Sequence, residues 1–144
     1  MKSKLVWAAE RTFVLVLDPG DEALGSITQF ALENELHAAS FTAIGAFERA
    51  TVGWFDLKRR AYRPIAVDEQ CEALSLIGDV ATGGDGAPTL HAHAVLGLCD
   101  GSTRGGHLLR AIVRPTLEVT LVETPAHLRR RRRPELGLAL IDLA

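Results

Sequence analysis

Three histidines have the spacing of a metal-ligand set: His91 and His93, separated by Ala92, and His107, which follows Gly105-Gly106. In a strand, residues i and i+2 share a face and lie about 6.5–7 Å apart along the backbone. His91 and His93 are therefore expected to project two imidazoles from one face, with Leu90, Ala92 and Ala94 facing the other way. Asp100-Gly101 turns the chain back towards that strand, which makes His107 the candidate third ligand. Three neutral nitrogens plus water form the open pattern of catalytic zinc, whereas structural zinc has four protein ligands. Gly105 and Gly106 would let the backbone approach more closely than side chains allow. The same letters also have a plainer meaning. An H-x-H pair is often only a polar stripe on a strand, and two glycines before a histidine often form only a turn. His37 and His127 stand apart from the group and read as surface residues.

To hold those rings together the chain must supply neighbouring strands, and its punctuation provides them. Residues 13–17 form a short apolar run that ends at Asp18-Pro19-Gly20. Runs at 38–47, 51–57, 62–67 and 71–80 are separated by polar or glycine-rich breaks, and further strands are expected at 117–122 and 136–140. Lys58-Arg59-Arg60 reads as an exposed hairpin tip, and Gly83-Gly84-Asp85-Gly86 as a flexible loop. Only residues 21–36 have a helical stripe, at Leu24, Ile27, Phe30 and Ala31. Pro19-Gly20 precedes that helix, Asp21 or its neighbour can cap it, and Glu22 in its first turn suits the dipole. One helix among hairpin-linked strands indicates a single α+β domain, residues 1–144, built on a mainly antiparallel β-sheet with helical cover.

Composition sets the outer bounds. The 144 residues are 47% apolar and 24% charged, enough to bury a core without disulfide or metal staples. Cys71 and Cys99 lie too far apart for a C-x-x-C pair or a zinc ribbon, and an isolated cysteine in an apolar run is expected to be buried. No run of 18 apolar residues occurs, and the first apolar stretch is broken by Glu10 and Arg11. A cytoplasmic protein with two reduced thiols is expected. Residues 1–128 carry 11 Lys+Arg against 16 Asp+Glu, a net −5, whereas 129–144 carry +3. An acidic body is a poor start for a nucleic-acid binder. The positive charge is concentrated in Arg129–Arg133, expected to form a solvated loop that its own repulsion holds open. Gly83-Gly84-Asp85-Gly86 lacks the Lys-Ser/Thr of a P-loop, and Ser40, Ser75 and Ser102 lack a nucleophile elbow.

Over nearly its whole length the sequence resembles the plants-and-prokaryotes-conserved (PPC) domain family. The likeness rests on Pro19-Gly20-Asp21 before the helix, on Ala43-Ile44-Gly45-Ala46 and on Leu90-His91-Ala92-His93. It continues through Asp100-Gly101, Gly105-Gly106-His107-Leu108 and residues 113–121, with Thr116, Glu118 and Val119. The resemblance implies a trimer-forming α+β domain. It also implies that His91, His93 and His107 match histidines that some members use for a metal, with zinc as the expected ion. In plants the domain follows AT-hooks that bind the minor groove, whereas the stand-alone prokaryotic members have no agreed role. Arg129–Arg133 followed by Pro134 has the charge and the proline of an AT-hook but not its glycine.

Three functions compete on this reading. The first is a homotrimer with a three-histidine zinc site in a small-ligand or hydrolytic role, with Glu118 as candidate general base. The alternative is a DNA-binding protein that uses the Arg129–Arg133 block, of which a trimer would gather three copies. The third is a scaffold whose surface binds a protein partner. Residues 43–47 and Trp54-Phe55 could serve subunit contacts but are expected to pack in the core.

Overall fold

The computed structural model describes residues 1–7, 11–124 and 128–143. Its strands are β1 (Lys2–Trp7), β2 (Thr12–Leu17), β3 (Ala38–Asp56), β4 (Ala61–Val67) and β5 (Cys71–Thr82), followed by β6 (Pro88–Gly97), β7 (Thr103–Glu123), β8 (Arg129–Arg133) and β9 (Leu138–Asp142). They join in one sheet of order β1-β2-β7-β3-β5-β8-β9, with β4 paired to β3 and β6 bridging β5 and β7. All named pairings are antiparallel except the single β5–β8 contact, Thr82 with Arg129. β3, β5, β6 and β7 pair in a closed circuit, because β3 and β7 are long enough to change partners along their length. Closing a sheet on itself removes exposed edges and gives the inner faces a common core.

That core is apolar throughout. Leu15, Leu17, Phe47, Val52, Leu76, Leu96, Leu117 and Leu121 are fully buried, and no charged or polar residue among those described is buried with them. Alternation along β6 puts Ala92, Ala94 and Leu96 into the core, and His91, His93 and Val95 on the opposite face. Two glycines set the backbone spacing beside the histidines. A Cβ on Gly106 would come within 2.6 Å of Gly53 O, and one on Gly78 within 2.5 Å of His91 O. Both distances are too short for any side chain.

The only helix among the described residues, α1 (Ala23–Glu33), lies on β6 and β7 through Ala23, Ile27, Phe30 and Ala31. Phe30 meets Phe13 edge-on, with ring centroids 5.1 Å apart. Glu22 is the cap rather than a first-turn residue: one carboxylate oxygen accepts Gly25 N–H at 2.7 Å, and the other accepts Ala111 N–H from β7 at 3.1 Å. No described helix is long and apolar enough to cross a membrane.

Three expectations need correction. The runs read at 38–47 and 51–57 belong to one strand, β3, which ends at Asp56. Its register with β7 shifts three times, which disguises the alternation. Arg129–Arg133 is a strand, not a self-repelling loop, because alternate arginines find carboxylates on opposite sides. Arg130 pairs with Asp79, whereas Arg131 and Arg133 reach Asp142 Oδ2 at 2.9 and 3.7 Å. Cys99 is exposed, although Cys71 is buried.

Candidate metal centre

His91 and His93 stand two apart on β6, and His107 on β7 is the register partner of His93. The three rings converge, with centroid separations of 5.0, 5.0 and 5.5 Å and one donor nitrogen from each within 4.8 Å of the others. His91 Nε2 and His93 Nε2 are 3.2 Å apart. His91 turns its other nitrogen towards Asp79, its register partner on β5, with Nδ1 3.8 Å from Oδ2. That is too long for a direct hydrogen bond but close enough to orient the ring. A carboxylate behind a histidine is the usual support of a metal ligand, since it fixes the tautomer and raises ligand basicity. Asp79 is held in turn by Arg130 through its other oxygen.

At His91 and His107 the electrostatics favour the neutral imidazole, the form that binds a cation. Burial pushes His107 down to about 4, and His91, His93 and Arg130 add to the effect. Burial and Arg130 also lower His91, partly offset by Asp79. His107 Nδ1 is buried with no hydrogen-bond partner, which costs free energy unless something satisfies it. Three convergent imidazoles, one with an orphaned ring nitrogen and one backed by a carboxylate, fit a borderline-soft divalent ion.

The rings open on a cavity of about 890 Å³. One wall is the β3–β4 hairpin, where Tyr62 stacks on His107 (centroids 4.5 Å apart, planes at 23°) and Phe55 meets Tyr62 edge-on at 5.0 Å. Trp54 also lines this wall and is 57% exposed. The opposite wall is the β8–β9 hairpin, which contributes Arg130, Arg132, Leu138 and Leu140. The two hairpins meet where Arg60 Nη1 donates to Pro134 O at 3.4 Å.

Several expected participants lie elsewhere. Glu118 is exposed and lines a separate shallow depression with Ile44 and Leu74, so it is not positioned as a base for this cavity. Cys99 faces Glu69 at 3.9 Å, away from the rings. His37 is exposed, as expected, and His127 lies outside the described residues. Of the segment expected in the core, Phe47 is fully buried, but Ile44 is 62% exposed. Asp79 and Tyr62 were not evident as site residues from sequence, and Arg130 and Arg132 were singled out only as part of the candidate DNA-binding block. The available signal was Asp79 itself, a charge inside an otherwise apolar run.

The sequence model of the Plants and Prokaryotes Conserved domain matches residues 6–125, a span that contains all three histidines. The chain belongs to this family. The PPC fold is shared with a plant- and prokaryote-conserved protein from Pyrococcus horikoshii, 31% identical over 93% of this chain and 92% of that one, with a TM-score of 0.87. A protein from Archaeoglobus fulgidus named as metal-containing is 35% identical over 90% of this chain and 91% of its own, with a TM-score of 0.84. A third, from Ralstonia eutropha JMP134 and named as a candidate DNA-binding protein, is 30% identical over 92% and 91%, with a TM-score of 0.85. A search of curated proteins gives no match. The PPC match ends before β8, so the arginine strand lies outside the segment that the family's sequence model describes.

Proposed function

We propose that this PPC domain holds a divalent transition metal, zinc by preference, on His91, His93 and His107, and binds a small ligand in the adjoining cavity. The convergence of three imidazoles, with donor nitrogens within 4.8 Å, carries the reading. The name of the Archaeoglobus relative supports it. When bound, such an ion supplies Lewis-acid polarisation and lowers the pKa of a coordinated water towards about 7, the basis of a hydrolytic role. The chain's own residues do the rest. Asp79 orients His91, and Tyr62 packs His107 in place, while His93 is exposed at the cavity. The cytoplasm and a homotrimer belong to the same proposal, and Ile44 and Leu74, both more than half exposed and side by side, offer an apolar surface for subunit contact.

Tag-free protein stripped with a chelator and titrated with zinc in a calorimeter tests the reading. About one ion per chain should bind, and His93→Ala should abolish it. Wild-type protein that binds no zinc, or a His93→Ala variant that binds it equally well, overturns the proposal.

DNA binding through Arg129–Arg133 is the second reading, favoured by the name of the Ralstonia relative. Arg129 and Arg132 have no carboxylate partner among the described residues and would make the backbone contacts. It predicts a gel shift that weakens steeply with salt and is lost when both become Gln. No shift at low salt removes it.

A further inference from the structure

We infer that the cavity beside the three histidines is an anion site: it takes a small molecule carrying a carboxylate or phosphate group on a flat or apolar body. The anionic end is held by Arg130 and Arg132, and the body lies along Trp54 and Tyr62. The inference rests on the preceding reading for the choice of cavity, but the arginines and aromatic rings that define it are independent of any ion.

The basic strand makes the case. A five-arginine run is usually a solvated face, but here the pleat of β8 sorts its side chains. Arg131 and Arg133 turn to Asp142, while Arg130 and Arg132 line the cavity. Arg130 is only 9% exposed, and its guanidinium is fixed by Asp79 through Nη2 and by Ala139 O through Nη1 at 3.4 Å. Its Nε is buried and has no hydrogen-bond partner. A buried guanidinium N–H left unmade is costly, and an anionic oxygen is the acceptor that repays it best. Arg132 is exposed and has no carboxylate partner among the described residues, so its charge also faces the opening. The one acidic side chain lining the cavity, Asp85, sits exposed in a turn and already accepts Ala87 N–H at 3.1 Å. Asp79 offsets the Arg130 charge, so the uncompensated cation at the cavity is Arg132, beside the fixed N–H groups of Arg130.

The remaining walls say what the anion is attached to. Trp54, Phe55 and Tyr62 form one side, Leu138 and Leu140 the other. An exposed tryptophan at the mouth of a cavity is a surface that gains from cover. About 890 Å³ lies in the range of pockets that enclose drug-sized ligands, with apolar walls and a few placed polar groups. Inorganic phosphate alone would leave most of that wall wet.

The test uses three probes of one shape: benzoate, phenyl phosphate and the neutral benzamide. Each is titrated calorimetrically into chelator-stripped and zinc-supplied wild-type protein, into Arg132→Gln and into Arg130→Lys. At least one anion should bind about tenfold or more tighter than benzamide, and Arg132→Gln should remove that preference while zinc uptake stays unchanged. Which of benzoate and phenyl phosphate binds tighter identifies the anionic group. Equal binding of benzamide and both anions, or anion binding unaffected in both arginine variants, overturns the inference even if zinc binds. Arginine-dependent anion binding by a protein that takes up no zinc upholds it and removes the metal reading instead. Displacement of the bound anion by short duplex DNA at equal phosphate concentration assigns the arginines to a nucleic-acid backbone and overturns it.

Discussion

Replacing Asp79 by Asn separates the two partners that this carboxylate serves. One oxygen faces His91 Nδ1 at 3.8 Å, and the other holds Arg130. Removing a carboxylate that supports a metal-ligating histidine costs about 10–100-fold in metal affinity, or about 1.4–2.7 kcal/mol. At 3.8 Å the contact is longer than a hydrogen bond, so the lower end, about tenfold, is expected for zinc. The variant also leaves a guanidinium that is 9% exposed without its counter-charge, which should cost about 1–3 kcal/mol of folding stability. Arg130→Met supplies the control, because it removes the same ion pair but keeps the carboxylate behind His91. The Arg130 charge disfavours positive charge on both His91 and His107, so its loss should leave zinc binding as tight or tighter. Competition against a chromophoric chelator gives the affinities, and urea denaturation of the same samples gives the stabilities. Zinc binding by Asp79→Asn within about twofold of wild type, or an equal loss in Arg130→Met, would refute the assigned role of Asp79.

Other consequences follow from packing. Gly106→Ala places a methyl 2.6 Å from Gly53 O and must push β7 off β3 next to His107; about 2–3 kcal/mol of stability should go in urea denaturation, with a fall in zinc uptake. Phe47→Ala empties a fully buried site in the middle of β3 and should cost about 3–5 kcal/mol in the same assay, without altering zinc stoichiometry at low urea. Glu22→Ala removes the cap of α1 and the acceptor of Ala111 N–H together, for about 1–3 kcal/mol; Glu22→Gln, which keeps an acceptor, should recover much of the loss.

The histidine cluster was legible because period-two alternation is strict: once Ala92 and Ala94 are core, His91 and His93 must share the outer face. The tight turn then delivers His107 opposite His93. Asp79 was not legible, because its pairing with His91 depends on the β5–β6 register, and a shift near Ala73 and Ser75 alters that register by one residue. Strand β8 was invisible for a different reason. Five identical charges carry no alternation, and the partner that fixes its inward face, Asp79, lies 51 residues away. Nor could β3 be read as one strand, since its three register shifts against β7 bring apolar residues to both faces in places. Trp54 shows the limit of reading aromatics as core: its neighbours Val52 and Gly53 are buried, while Trp54 faces the cavity with Arg63 over its ring at 5.8 Å. The helix was found from its apolar stripe and its cap from the residues after Pro19-Gly20, but the second tie of Glu22, to Ala111 N–H of β7, is not shown by the sequence.

Crystals of protein purified without a tag or chelator, measured on both sides of the zinc absorption edge, test the central claim most directly. The account predicts one anomalous peak per chain, about 2 Å from a nitrogen of each of His91, His93 and His107. No peak there, with the three rings instead hydrogen-bonded to separate protein groups, would contradict it.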